Sequence, residues 1–211
     1  MKRKKDVIKK AVLASVLAMS LNNVVWAAEG VDQPFSTVSE LEALGGIASI
    51  DSSSISHVTK GIYASGNDFI YNSGAIKLDI NGFANSTSSG YDSIGIFGYN
   101  STIDLKQIEM NFIDTSGTGW TYGIDSYDGA TISVGDGLRL FVTGGKDTRG
   151  VEVGFNDAKV TLGENASIIA NSRDGVALGV FVFNKGKFEA AKDLVINVSA
   201  DDGSQWAAGV L

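Results

Sequence analysis

The sequence predicts an all-β chain wound into a parallel β-helix solenoid, with about five 28-residue coils of three short strands each behind an amino-terminal cap. Three observations predict it. An aromatic residue followed by Asn or Asp recurs as Tyr71-Asn72, Tyr99-Asn100, Tyr127-Asp128, Phe155-Asn156 and Phe183-Asn184, a constant step of 28 residues. A Gly-Ile or Gly-Val precedes each of these pairs on a looser version of the same period, as at Gly95-Ile96, Gly123-Ile124, Gly150-Val151 and Gly179-Val180. The composition, 26 Gly, one Pro and no Cys among short Val/Ile/Leu runs, is that of many strands joined by tight turns.

The elements follow in order along the chain. Residues 1–27 read as a secretory signal peptide: a basic MKRKKDVIKK, an apolar AVLASVLAMSL too short to span a bilayer, then small residues that place cleavage after Ala27. Residues 28–60 stand outside the repeat and are expected to cap the first coil's open edge. Within them SELEALGG offers Ser39 with Glu42 three residues on, a capping-box pattern before a Gly-Gly stop, so a short helix is expected there. Residues 61–211 form the solenoid, in which runs such as TIDLKQI, ATISV and AKVTL alternate apolar and polar residues as half-buried strands do. The final SQWAAGVL opens a sixth coil and stops before its anchor at about position 212, which leads to the expectation of an incomplete solenoid.

In a parallel stack, equivalent residues lie about 4.8 Å apart. The five pairs are therefore expected as two structural ladders, one of rings at 71, 99, 127, 155 and 183 and one of amides or carboxylates at 72, 100, 128, 156 and 184. An aromatic strip for sugar is the alternative. Keeping the coils in register explains the fixed period, which a ligand site does not require. The recurring Gly supplies either a positive φ or a close backbone approach at a corner.

Little in the chain points to catalysis. Asp128 has only amides in its expected column, and the pairs Asp92-Ser93 and Asp201-Asp202 sit in turn-like stretches where Asp is common for backbone reasons. His57, the single histidine, cannot form a two-His metal site, and there is no phosphate-loop or EF-hand spacing. No catalytic, cofactor or metal residue is assigned. Once the leader is removed, eleven basic residues face twenty-three acidic ones, a net charge of about −12 that disfavours nucleic acid as a partner.

The leader, the absence of cysteine, and units such as GIDSYDGATISVGDGLRLFVTGG and GVEVGFNDAKVTLGENASIIANS resemble the passenger region of classical autotransporters of Gram-negative bacteria, the pertactin and diffuse-adherence adhesin type. The resemblance covers residues 61–211. It implies a right-handed β-helix displayed at the cell surface, binding a host-cell or matrix ligand or associating with itself, after export by the Sec machinery. Such proteins normally carry a carboxy-terminal barrel, and the expectation is that residues 1–211 are truncated before it. The leader alone implies the periplasm, and surface display requires a full-length parent with a barrel. A polysaccharide lyase or hydrolase on the same fold, and a truncated remnant without independent function, are the alternatives.

Overall fold

The computed structural model describes residues 30–31, 34–51, 60–82, 93–114, 119–201 and 206–211. Apart from one short helix, these residues form strands that pair in parallel throughout, a β-solenoid of about five turns. The first coil is β3 (Lys60–Ser65) and β4 (Phe69–Gly82), and the second is β5 (Ser93–Tyr99) and β6 (Thr102–Asp114). Three strands build each later coil: β7 (Trp120–Tyr127), β8 (Thr131–Val134) and β9 (Arg139–Gly144); β10 (Asp147–Gly154), β11 (Lys159–Leu162) and β12 (Ser167–Ser172); β13 (Val176–Phe183), β14 (Lys187–Ala190) and β15 (Val195–Ala200). A sixth coil opens with β16 (Trp206–Val210).

The first strand of every coil stacks into a six-stranded sheet, β3-β5-β7-β10-β13-β16. The remaining strands, with β1 (Gly30–Val31) and β2 (Ile47–Asp51), form a ten-stranded sheet. The long strand β6 serves two columns of it. Thr102–Leu105 pair with β8, and Glu109–Ile113 pair with β9.

Alternation places one residue set inward, and the inward set is aliphatic. Ile62, Ile96, Ile124, Val151 and Val180 follow one another up the six-stranded sheet with no exposed surface. The other sheet adds Leu78 and Ile80, Met110 and Phe112, Leu140 and Val142, and Ile168 and Ala170 to the buried interior. Beside this column runs the repeated glycine. A Cβ on Gly61, Gly95, Gly123, Gly150 or Gly179 would lie 2.4–2.6 Å from the carbonyl oxygen of the next glycine in the stack, and none of the five has a positive φ. Close backbone approach is the reason for this glycine.

The cap closes the first coil. Helix α1 (Val38–Ala43) is anchored by the buried Leu41. Its capping box is Thr37 with Glu40, whose carboxylate accepts the N–H groups of Thr37 at 3.0 Å and Ser36 at 2.9 Å. The expected box at Ser39 and Glu42 lies two residues too late, and Glu42 instead accepts the Ser73 hydroxyl at 2.6 Å. The helix stops as predicted at Gly45 and Gly46, both at positive φ, whose N–H groups return to the carbonyls of Glu42 and Leu41. Phe35 bridges to Ile62 on the open edge of β3, while β2 covers β4. The leader with Ala27, His57, Asp92 and Asp202 lie outside the described residues.

Candidate functional site: the outer face of the six-stranded sheet

At the corner after the first strand of each coil the chain needs a left-handed residue. Asn100 (φ 44°), Asp128 (52°), Asn156 (49°) and Asn184 (44°) supply it, and Asn and Asp tolerate that region because their short side chains bond locally. Asn156 Nδ2 donates to the Asp128 carboxylate. The Tyr99 hydroxyl bonds the same carboxylate, and this bond, with the charge of Asp128, holds the Tyr99 phenol above its ordinary pKa. The rings follow: Tyr99 to Tyr127 at 6.3 Å, Tyr127 to Phe155 at 4.8 Å and Phe155 to Phe183 at 5.0 Å between centroids.

Two expected ladder members sit elsewhere. Tyr71 pairs with Leu105 in the next strand over, and its ring is buried with its hydroxyl against Gly46. The ladder positions below Tyr99 and Asn100 are held by Ser65 and by Gly66 at φ 68°. Asn72 is an exposed strand residue that lines a shallow depression with Asp104, Lys106 and Asp136. The cause is coil length: the first sheet step, Ser65 to Tyr99, is 34 residues. Phe155 also leaves the backbone register. Gly154 stands between Tyr127 and Phe183, and Phe155, Asn156 and Asp157 form a three-residue run at positive φ that returns the Phe155 ring to the stack.

The outward residues of the six-stranded sheet form four rows. The residue before each glycine gives Lys60, Ile94, Tyr122, Arg149 and Leu178, and the residue two after it gives Tyr63, Phe97, Asp125, Glu152 and Phe181. A row nearer the strand start holds Trp120, Asp147, Val176 and Trp206, and the row at the strand end is the ring ladder. Trp120 and Trp206 are each 44 % exposed and Tyr99 is 40 % exposed. The ten-stranded sheet presents a different outer face, mainly Thr, Ser, Asn and ion pairs such as Lys77 with Glu109 (3.8 Å) and Lys159 with Glu189 (2.8 Å), with Ile70, Phe141, Ile169 and Val195 dispersed among them.

Arg149 is the centre of the aromatic face. Its Nε and Nη2 donate to the two oxygens of Asp147 at 3.2 and 3.0 Å, and Nη1 donates to Glu152. The guanidinium carbon stands 4.5 Å from the Phe181 ring centre, 5.1 Å from Trp120 and 5.4 Å from Tyr122. Its side chain is 11 % exposed. Burial alone would lower the arginine pKa, but the Asp147 bonds and the charges of Glu152 and Asp147 outweigh it and raise it. Asp125, 5 % exposed, is the register partner of Glu152.

This cluster was not among the residues singled out by the sequence. Aligning the coils on the glycine, rather than on the aromatic pair, brings Arg149, Asp125 and Glu152 to outward positions. Among the described residues no three acidic or histidine side chains gather as a metal site. No protein-family model matches the chain, and no curated protein or solved structure matches it significantly.

Proposed function

We propose that this chain is an exported β-helix passenger segment of the autotransporter type that adheres to host or neighbouring cells through the outer face of its six-stranded sheet. The observation that carries the reading is the difference between the two sheets. One outer face is mainly polar with scattered apolar residues such as Ile70 and Val195, and the other gathers its rings around a buried arginine and three carboxylates. Aromatic rings and arginine are the side chains that dominate recognition surfaces. The basic-then-apolar leader supports export.

The test expresses the chain from Met1. Recovery from the periplasm with Ala28 as the new amino terminus supports export, and retention in the cytoplasm with Met1 intact counts against it. The recovered protein is then applied to epithelial cells, matrix proteins and sister bacteria. Binding to none of them sinks the adhesive reading.

A polysaccharide-degrading enzyme is the second reading, and the adjacency of Asp125 and Glu152 between aromatic rings is what favours it. A glycosidase needs two carboxyls flanking the scissile bond, and in this reading Asp125 and Glu152 are that pair. Release of reducing ends from a glycan, abolished by Asp125→Asn, would establish turnover.

A further inference from the structure

We infer that the ligand of this face is a neutral glycan, lying along the solenoid axis with its central contact at the exposed Trp120, the ring that Arg149 and its carboxylates support from beneath. The inference rests on the adhesive reading above and adds the chemistry of the partner.

The first step is that the fold does not need the charged cluster. Coil five stacks directly on coil four and places Val176, Leu178 and Phe181 where coil four has Asp147, Arg149 and Glu152. Coil two likewise places Phe97 where coil three has Asp125. The solenoid therefore accepts apolar side chains at each of these positions. Burying an ion pair costs desolvation that apolar packing avoids, so the charges are a poor means of holding the coils together. They mark the surface for recognition.

The second step is the shape and polarity of that surface. The backbone groups of β5, β7, β10 and β13 are paired with strands on both sides, so a peptide cannot add to them as a strand. What the face does offer is a repeat along one axis at about 4.8 Å per coil, roughly 24 Å from the first coil to the sixth, which suits a ligand that is itself a chain of similar units.

The third step is the contact chemistry. Sugar rings present C–H groups of slight positive charge to the negative face of an aromatic ring, and hydroxyls to planar carboxylates. Tyr63 and Phe97 stack on one another at 9° between planes and so cover each other's faces, whereas Trp120 stands edge-on to Tyr122 and keeps nearly half its surface exposed. Asp125, Asp147 and Glu152 against Arg149 and Lys60, whose ammonium lies over Phe97 beside Asp125, leave the face with a formal charge of −1. That charge repels uronate, sialate and sulfate groups and leaves neutral sugars.

The experiment uses the exported chain, neutral mannan and β-glucan oligosaccharides of increasing length, and anionic alginate and heparin oligosaccharides. Two variants accompany it: Trp120→Ala, and a transfer of coil five onto coil four made by Asp147→Val, Arg149→Leu and Glu152→Phe. Circular dichroism confirms that each is folded. The expected result is binding of a neutral series that tightens with length, and a loss of at least tenfold in both variants. Binding of the anionic series alone overturns the inference, as does neutral binding that both variants retain. Cell binding with no glycan binding overturns it too, and leaves the adhesive reading standing. Loss of cell binding in the unaltered chain removes the adhesive reading itself.

Discussion

Gly123→Ala tests the stacking of the coils in the middle of the glycine column. The added methyl would lie 2.5 Å from the Gly150 carbonyl oxygen, 2.7 Å from Val142 Cγ2 and 2.8 Å from Leu140 Cδ2. Ordinary contact is about 3.5–4.0 Å, so each overlap is roughly 1 Å. The nearest atom is backbone, and it cannot retreat without separating β10 from β7, which are bonded along seven register pairs. Overpacking costs about 1–3 kcal/mol, and this site belongs at the upper end. Gly74→Ala is the control. Nothing lies within 4 Å of its added methyl, and its φ is not positive, so reduced freedom of the unfolded chain gives a gain of about 0.4–1 kcal/mol. In urea, with a slope of about 2–3 kcal/mol/M, the Gly123 variant should lose roughly 1 M from its unfolding midpoint while the control holds or gains. A Gly123→Ala midpoint equal to the parent's would show that this glycine is not required for close approach.

Ile124→Ala removes a fully buried side chain between two stacked coils and should cost about 2–5 kcal/mol, whereas Ile196→Ala, only partly buried in the last complete coil, should cost less in the same urea titration. Asn156→Ala forces a left-handed corner on a residue that resists it, about 1–2 kcal/mol, while Asn156→Gly keeps the conformation and loses only the bond to Asp128. The backbone N–H of Thr37, and then that of Ser36, hold the Glu40 carboxyl below its ordinary pKa. The stability it adds is therefore complete above the ordinary glutamate value and is lost as pH falls through the lowered one. Glu40→Gln should lower the melting temperature at pH 7 and match the parent once both are acidified below that point.

The solenoid was legible because equal coils stack equal residues, and the inward Val/Ile/Leu positions had to recur. The detail went wrong where a regular spacing was mistaken for the register. The aromatic pairs keep a step of 28, yet the sheet steps are 34, 28, 27 and 29, and these are the spacings of Gly61, Gly95, Gly123, Gly150 and Gly179. The glycine is held by contact with its neighbours, so its uneven spacing follows the true coil lengths. The aromatic pair is free to drift by a residue, as Phe155 does by taking a left-handed backbone. Tyr71-Asn72 matches the period by coincidence of composition: two extra residues between Tyr71 and Ala75, and four between Gly82 and Ser93, lengthen the first coil and carry the pair into a different strand. At the helix, Thr37 with Glu40 and Ser39 with Glu42 are equally good boxes in sequence, and the position of Leu41 in the core selects the first. The grip of Arg149 on three rings depends on side chains 29 residues before it and 32 after it, which only the stacked coils bring together.

Stability and recognition separate at Arg149. Removing the arginine alone, as in Arg149→Met, leaves Asp147 and Glu152 without their guanidinium partner in a mostly buried setting. Breaking one side of such a cluster costs about 3–5 kcal/mol. Replacing all three charged residues by their coil-five counterparts removes the desolvation along with the attraction, and brings in side chains whose fit against this sheet is already realised one coil away. The triple variant should therefore unfold no earlier than the parent, and up to about 1–4 kcal/mol later. Were it to unfold as readily as Arg149→Met, the cluster would be a requirement of the fold, and the case for a ligand built on its dispensability would fall with it.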